Sequence, residues 1–197
     1  MGGELNRTAF VLGGGGKWGA VEVGMLQALD EAGITADLVL GTSIGAFNGS
    51  VIAADPGSRG VERLLDLWEE IAGSDVLRGS LFERVRSVAR FGPAIHDTSE
   101  LRTILEKVHG PDATIEGLEV PFQCVAASIE RSAEHWFSRG LLVDAILASS
   151  AIPALFPPVE VNGEHFYDGG LVNSMPLARA GEVGEDRVCV LQISGGE

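Results

Sequence analysis

The sequence places a serine between two glycines in residues 41–45, Gly-Thr-Ser-Ile-Gly. In this G-x-S-x-G pattern, Gly41 and Gly45 would relieve crowding around a serine held on a sharp turn between a strand and a helix. Ser43 would then project its hydroxyl above a sheet and could act as a nucleophile. The alternative is that Ser43 only caps the following helix. A pattern this short occurs by chance in many chains, so its surroundings must decide.

A run of glycines precedes this serine by about 25 residues. Gly14, Gly15 and Gly16 follow an apolar stretch, and Gly19 completes a G-x-G-x-x-G pattern before a segment with helical spacing. Glycines let the backbone turn tightly and present free N–H groups, and the helix N-terminus adds positive potential. The loop therefore favours an anion, which could be a pyrophosphate or a transient oxyanion.

The second strand separates these two interpretations of the loop. A dinucleotide site requires an acidic residue at the end of that strand to hold the ribose. Here the strand ends in Gly41-Thr42-Ser43, and Asp37 lies before it. Because the loops after parallel strands share one edge of a sheet, the amides of Gly14–Gly16 and the hydroxyl of Ser43 are expected to face each other. This pairs a nucleophile with oxyanion donors and disfavours a nucleotide.

The candidate base is Asp168, which is followed by Gly169 and Gly170 at the end of an apolar strand. A Ser-His-Asp triad of the α/β-hydrolase type has its histidine after the aspartate, but all four histidines precede Asp168. Alternation along the strand puts His165 on the opposite face from Asp168, so His165 is interpreted as structural. A partly desolvated aspartate can accept the serine proton directly when it lies within hydrogen-bond reach.

The three elements together resemble the patatin-like phospholipases. Further similar stretches are residues 10–19, 24–29, 148–158 and 168–176. The resemblance implies a Ser43–Asp168 dyad without histidine, oxyanion donors at Gly14–Gly16, no metal and no cofactor in the chemistry, and acyl esters of phospholipids, lysophospholipids or neutral lipids as substrates. It also implies a three-layer α/β/α sandwich with a mostly parallel central sheet.

The sequence departs from this family pattern in two places. Trp18 stands where such loops usually carry a basic residue, and Lys17 lies one position earlier. The resemblance therefore carries over no role for that charge in orienting the loop or meeting a phosphate. The chain also stops soon after its last predicted strand, whereas family domains often continue through further helices. A small member of the family and a truncated one both fit this observation.

The elements that would position these residues follow from hydrophobic periodicity. Strands at residues 8–12 and 38–40 alternate with helices at 20–32 and 46–54, which is typical of a parallel sheet covered by helices. Further helices are predicted at 60–71, 80–90, 99–108 and 142–149, a short one after Pro176, and strands at 121–128, 135–138, 159–161, 165–167 and 187–193. Asn162-Gly163 predicts a two-residue hairpin turn. No linker interrupts the pattern, so one α/β domain over residues 1–197 is expected.

Composition restricts the class of partner. The 197 residues carry a formal net charge of −14, which disfavours nucleic acid as a ligand. Cys124 and Cys189 lie in apolar runs and are predicted to be reduced core thiols, with no metal-ligand spacing nearby. No apolar run is long enough for a membrane span, and no export signal is visible, so a cytoplasmic protein is expected.

One segment runs against the acidic average. Leu77–Phe91 contains four arginines and one glutamate, and its apolar residues form a stripe at helical spacing. The stripe either packs on the core or belongs to a lid or docking helix that makes peripheral contact with lipid.

The motifs and the family resemblance together predict a lipid acyl hydrolase. A soluble esterase, thioesterase or acyltransferase with the same dyad is the first alternative, and a nucleotide-binding module is the second.

Overall fold

The computed structural model describes residues 7–73 and 98–193. Seven strands form one sheet, in which β5, β6, β3, β2, β1 and β7 are paired in that order and β4 also pairs with β3. The strands are β1 (Thr8–Leu12), β2 (Leu38–Thr42), β3 (Phe122–Ser128), β4 (Ala133–Phe137), β5 (Val159–Val161), β6 (Glu164–Asp168) and β7 (Arg187–Leu191). The α-helices in the described ranges are α1 (Gly19–Glu31), α2 (Ile44–Ala54), α3 (Ser58–Gly73), α4 (Ser99–His109), α5 (Leu142–Ser149) and α6 (Leu177–Glu182).

Four strands, two from each half of the chain, build the parallel part of the sheet. β1 lies between β2 and β7, and β2 in turn pairs with β3, all in parallel. Every residue of β1 and β2 is buried, as expected for strands covered on both faces. Because parallel strands need crossover connections, α1 links β1 to β2 and returns the chain to the same edge of the sheet. The predicted alternation of strands and helices is confirmed.

The second half adds three antiparallel strands. β4 folds back on β3 from a tight turn, and β5 and β6 form a second hairpin. The turn of that hairpin is Asn162-Gly163, with φ values of 53° and 81°. Both residues lie in the left-handed region, which the type I′ hairpin turn requires and which asparagine and glycine tolerate best. The hairpin predicted from this dipeptide is therefore confirmed.

Helices cover both faces of the sheet. The larger core packs five helices, α1 to α5, against the face that carries Phe10, Val39 and Phe166. The smaller core lies on the opposite face, where Ala180 of α6 meets Ala9 and Leu40. Neighbouring residues of each inner strand point to opposite faces, so the two cores share the same strands. The three-layer α/β/α arrangement expected from the resemblance is confirmed.

Two strands meet end to end along one edge of β3. Cys124 and Val125 pair with β2 on one side and with β4 on the other, while Ala126 pairs with both β4 and β6. Since a residue has only two edges, β2 and β6 both lie opposite β4. β2 ends beside Val125, and β6 runs towards it and ends beside Ala126. The residue after β2 and the last residue of β6 are therefore brought together.

The differences from the sequence predictions are small at the element level. α2 begins at Ile44, two residues earlier than predicted, directly after Ser43. The predicted helix at 80–90 and the basic segment Leu77–Phe91 lie outside the described residues. Both thiols are free, with Cys124 buried and Cys189 partly buried, as predicted. Within the described ranges, no helix combines the length and apolarity that crossing a membrane would require.

Candidate active site

Ser43 sits on a strained turn between β2 and α2. Its φ of 55° and ψ of −120° are unusual for any residue with a side chain and carry a conformational cost of about 1–3 kcal/mol. The turn is tight because Gly45 approaches β1 closely: a Cβ at Gly45 would lie 2.3 Å from the carbonyl oxygen of Leu12. A Cβ at Gly41 would lie 2.5 Å from Cα of Ala46. Neither Gly41 nor Gly45 therefore has room for a side chain.

Hydrogen bonds fix this turn from both sides. The Ser43 carbonyl accepts the N–H groups of Ala46 at 2.9 Å and Phe47 at 3.1 Å, which starts α2 immediately after the serine. The Ser43 N–H donates to Oγ of Ser149 at 3.0 Å. Thr42 Oγ1 donates to the carbonyl of Asn173 at 3.0 Å, which joins the end of β2 to the loop after β6.

Asp168 lies directly against the serine hydroxyl. Ser43 Oγ donates to Asp168 Oδ2 at 2.6 Å, and the N–H of Gly170 donates to Oδ1 at 2.7 Å. Both side chains are nearly buried, with 8% of Ser43 and 6% of Asp168 exposed. Burial raises the pKa of Asp168 above its ordinary value, while the hydrogen bonds from Ser43 and Gly170 lower it in part. The pair therefore has the contact that direct proton transfer requires.

The two glycines after Asp168 allow its strand to end here. A Cβ at Gly169 would lie 2.2 Å from the carbonyl oxygen of Val125, so β6 can only press against β3 if this residue is glycine. A Cβ at Gly170 would lie 2.9 Å from Asp168 Oδ1 and would crowd the amide that binds the carboxylate. The Asp168 N–H donates to the carbonyl of Ala151 at 2.9 Å.

Each histidine in the described ranges has a partner away from this pair. His165 Nδ1 lies 2.8 Å from Glu130 Oε1, in agreement with its interpretation as structural. The ring of His135 contacts two phenylalanine rings of the core, one edge-on and one tilted. His109 Nε2 lies 3.0 Å from Ser50 Oγ, and burial lowers the pKa of His109 to about 4. Among the described residues, Asp168 is thus the titratable group bonded to Ser43.

The glycine loop lies beside Ser43, as the sequence predicts. A Cβ at Gly14 would stand 3.6 Å from Cβ of Ser43. The N–H of Gly14, however, donates to the carbonyl of Ser174 at 3.0 Å. The expectation that Gly14 offers a free amide is therefore wrong in this conformation. The N–H groups of Gly15 and Gly16 have no protein acceptor in the described part of the chain, and Gly16 needs glycine's freedom because its φ is 56°.

The start of α1 packs against the residue that follows the serine. A Cβ at Gly19 would lie 2.4 Å from Cγ1 of Ile44 and 2.6 Å from Cζ2 of Trp68. Asn48 of α2 completes this contact, because its amide donates to the carbonyl of Gly19 at 3.0 Å. The last glycine of the loop therefore lets α1 and α2 approach closely, which sets the loop's position relative to Ser43.

A buried polar cluster reinforces that contact. The Asn48 amide also donates to Oε2 of Glu22 at 2.8 Å, and Asn48 Oδ1 accepts Nε1–H of Trp68 at 3.0 Å. Glu22 is fully buried, and its Oε1 has no hydrogen-bond partner among the described residues. Burial raises the pKa of Glu22 to about 8, despite the lowering effect of Asn48. With a pKa raised in this direction, the neutral form of Glu22 is favoured at pH 7.

The sequence predictions did not include Ser149 or the Glu22–Asn48 contact. Ser149 follows the apolar residues 145–148, and Glu22 is flanked by valines at 21 and 23, but neither pattern identifies the partner. Each looked like an ordinary polar residue because its partner is distant in sequence. The structure describes no group of three or more His, Cys, Asp or Glu side chains that could hold a metal ion within residues 7–73 and 98–193.

Comparisons with known proteins identify the family and the fold. The family described as "Patatin-like phospholipase" matches residues 10–180. An uncharacterized NTE family protein of Mycobacterium bovis is 34% identical over 191 residues, which are 97% of this chain and 50% of that protein. Lysophospholipase nte1 of Emericella nidulans is 32% identical over 193 residues, which are 94% of this chain and 12% of that protein. The chain thus spans half of the first relative and a small part of the second.

A solved structure shares the fold. VipD from Legionella pneumophila superimposes with a TM-score of 0.59 at 17% sequence identity, over 94% of this chain and 49% of that chain. At 17% identity, this similarity shows a shared fold and nothing about function.

Proposed function

The chain belongs to the patatin-like phospholipase family, and from this premise we propose that it is a lipid acyl hydrolase. In this proposal Ser43 is the nucleophile, Asp168 is its general base, and the amides of Gly15 and Gly16 stabilise the oxyanion. The observation that carries the proposal is the 2.6 Å hydrogen bond from Ser43 Oγ to Asp168 Oδ2 on a strained strand-to-helix turn.

The proposed reaction has two halves. Asp168 accepts the hydroxyl proton as Ser43 Oγ attacks the ester carbonyl, and the carbonyl oxygen gains the negative charge. Two N–H groups and the N-terminal dipole of α2 stabilise that charge. Asp168 then gives its proton to the leaving alcohol, and an acyl-serine remains. A water molecule loses a proton to Asp168, attacks the acyl-serine and releases the fatty acid, and Ser43 recovers its proton.

The environment of Asp168 supports its role as a base. The raised pKa makes the carboxylate a stronger proton acceptor than an exposed aspartate, and its second oxygen is still anchored by the Gly170 amide. A base with a pKa closer to working pH transfers protons more effectively. The same burial excludes bulk water from the contact between Ser43 and Asp168, which strengthens the electrostatic interactions there.

The surroundings of the site support an apolar acyl group as substrate. Trp18, Ile152, Leu171 and Val172 are exposed apolar side chains, with 60% exposure at Leu171. Trp18 follows the glycine loop, Ile152 follows the residue that binds the Asp168 amide, and the other two follow Gly170. Exposed apolar side chains next to the residues of a reactive site favour the binding of lipid or docking on its surface. We propose peripheral contact with lipid at this rim.

The test combines covalent labelling with turnover. Wild type, Ser43→Ala and Ser138→Ala are treated with a fluorophosphonate carrying a long alkyl chain and assayed on micellar lysophospholipid and on a short-chain soluble ester. Ser138 is an exposed serine and serves as the control. We expect the wild type to be labelled at Ser43. Ser43→Ala should lose the label and several powers of ten in rate, each corresponding to about 1.4 kcal/mol of barrier, because covalent catalysis is lost. Ser138→Ala should behave like the wild type.

The same assay separates the alternatives. Full turnover by purified Ser43→Ala would refute the assignment of the nucleophile. A soluble esterase or thioesterase would be favoured if the enzyme preferred the soluble ester and if its rate on the lysophospholipid did not rise above the critical micelle concentration. Accumulation of an acylated product when an alcohol is added would favour an acyltransferase with the same dyad.

A further inference from the structure

Ser149 touches the nucleophile without belonging to the dyad. It is the last residue of α5, is fully buried, and accepts the Ser43 N–H at 3.0 Å. Its hydroxyl donates in turn to the carbonyl of Val125 at 2.7 Å. A serine near the end of a helix commonly bonds the carbonyl four residues earlier in its own helix. Ser149 instead bridges two elements of the sheet, the strained turn after β2 and the middle of β3.

The chain just after Ser149 holds the other member of the dyad. The carbonyl of Ala151 accepts the N–H of Asp168 at 2.9 Å. Val125, whose carbonyl binds the Ser149 hydroxyl, is also the residue against which Gly169 presses. Two hydrogen bonds from residues 149–151 therefore reach the main chain of both reacting residues, at the point where β2 and β6 meet.

We propose that Ser149 is a positioning residue, whose hydroxyl holds Ser43 in its positive-φ conformation with Oγ directed at Asp168. The inference rests on the proposed function of the dyad. A serine at φ 55° tends to relax towards ordinary dihedral angles unless hydrogen bonds oppose it. The Ser149 hydroxyl opposes relaxation through the Ser43 N–H, and the Val125 carbonyl fixes the direction of that hydroxyl.

The decisive variant is Ser149→Ala, with Ser150→Ala as the matched control. Ser150 is the next residue, is only partly buried, and its side chain makes no hydrogen bond with described residues. Loss of the hydroxyl leaves the buried Ser43 N–H without its acceptor, so we expect kcat to fall roughly ten- to a hundredfold with KM within about twofold. Ser150→Ala should retain the wild-type kcat.

A labelling measurement distinguishes positioning from stability. With the fluorophosphonate probe, Ser149→Ala should still take up one label per chain at the end point, but with a rate constant reduced in parallel with kcat. A purely structural serine would show the opposite pattern, a reduced end point with an unchanged rate constant. Ser149→Cys keeps a side chain of similar size with weaker hydrogen bonds, and we expect an intermediate rate constant.

Three results would overturn the proposal: a wild-type rate constant in Ser149→Ala, a fall in end point alone, or, if that variant does not fold, a wild-type rate constant in Ser149→Cys. Failure of the dyad itself would look different, because wild type would then not label at Ser43 and Ser43→Ala would keep its turnover.

Discussion

The buried acid Glu22 should contribute stability that falls as pH rises, and Glu22→Gln should remove that contribution. The native state holds the Glu22 proton up to a pKa of about 8, while the unfolded chain releases it from about 4.5. Stability from this group is therefore fully present below about pH 4.5 and is lost as pH rises towards 8. Glutamine resembles the neutral acid, can accept the Asn48 hydrogen bond, and has no proton to lose.

The magnitude follows from the pKa difference. A shift from 4.5 to about 8 corresponds to a ceiling of about 5 kcal/mol at 1.36 kcal/mol per unit. Between pH 5 and pH 8, wild type should lose roughly 3 kcal/mol relative to Glu22→Gln. At about 2–4 °C per kcal/mol for a chain of this size, the two melting temperatures should diverge by roughly 6–12 °C. At pH 5 the variant should be equal to or slightly less stable than wild type, because the glutamine NH₂ gains no acceptor.

Thermal and urea unfolding at pH 5, 6, 7 and 8 measure this divergence. Glu31→Gln is the matched control for removing a carboxylate from the same helix, since Glu31 is exposed. A difference between Glu22→Gln and wild type that stays constant with pH would refute the reasoning, because it would mean that Glu22 does not carry its proton to higher pH in the native state than in the unfolded chain.

Three further predictions concern the site and its glycines. The rate kcat/KM should fall at acidic pH as Asp168 is protonated, with a midpoint above 3.8, because burial raises the pKa of this base; a pH profile flat down to pH 4 would argue against Asp168. Gly45→Ala should prevent folding or abolish activity because its Cβ would lie 2.3 Å from the Leu12 carbonyl oxygen. The control Gly24→Ala has open space around it and should raise the free energy of unfolding by about 0.5–1 kcal/mol. Thermal unfolding followed by circular dichroism compares the two variants. EDTA should leave turnover unchanged, and activity restored specifically by Ca²⁺ or Zn²⁺ would contradict the oxyanion role of the amides.

The parts of the fold that depend on short-range pattern could be predicted from sequence. β1 and β2 were recognisable as short apolar runs next to glycines. Asn162-Gly163 predicted a hairpin turn because few dipeptides accept two positive φ values. The candidate nucleophile and base were recognisable for the same reason, since each needs glycines at fixed offsets. The hydrogen bond of 2.6 Å between Ser43 Oγ and Asp168 Oδ2 agrees with the prediction that the two side chains lie together. Their catalytic roles stay a prediction.

The parts that depend on tertiary context could not be predicted. Nothing local in Ser149 says that its hydroxyl will bind a residue 106 positions away, and nothing in Glu22 says that it will be buried beside Asn48. The sequence predicted free amides in the glycine loop, but it could not show that the Gly14 amide is engaged by the carbonyl of Ser174 from a distant loop. Such features arise from how elements pack, and packing pairs residues that share no periodicity.

The meeting of β2 and β6 also bears on when the proposed dyad can form. Ser43 and Asp168 are 125 residues apart, so a chain emerging from the ribosome contains Ser43 long before Asp168 is synthesised. Bringing such distant segments together is slow compared with forming local structure. The serine stays without its base until the β5–β6 hairpin has docked against β3. Under the proposed mechanism, we therefore expect reactivity towards esters to arise late in folding, and we expect a nascent or partly unfolded chain not to hydrolyse lipid esters.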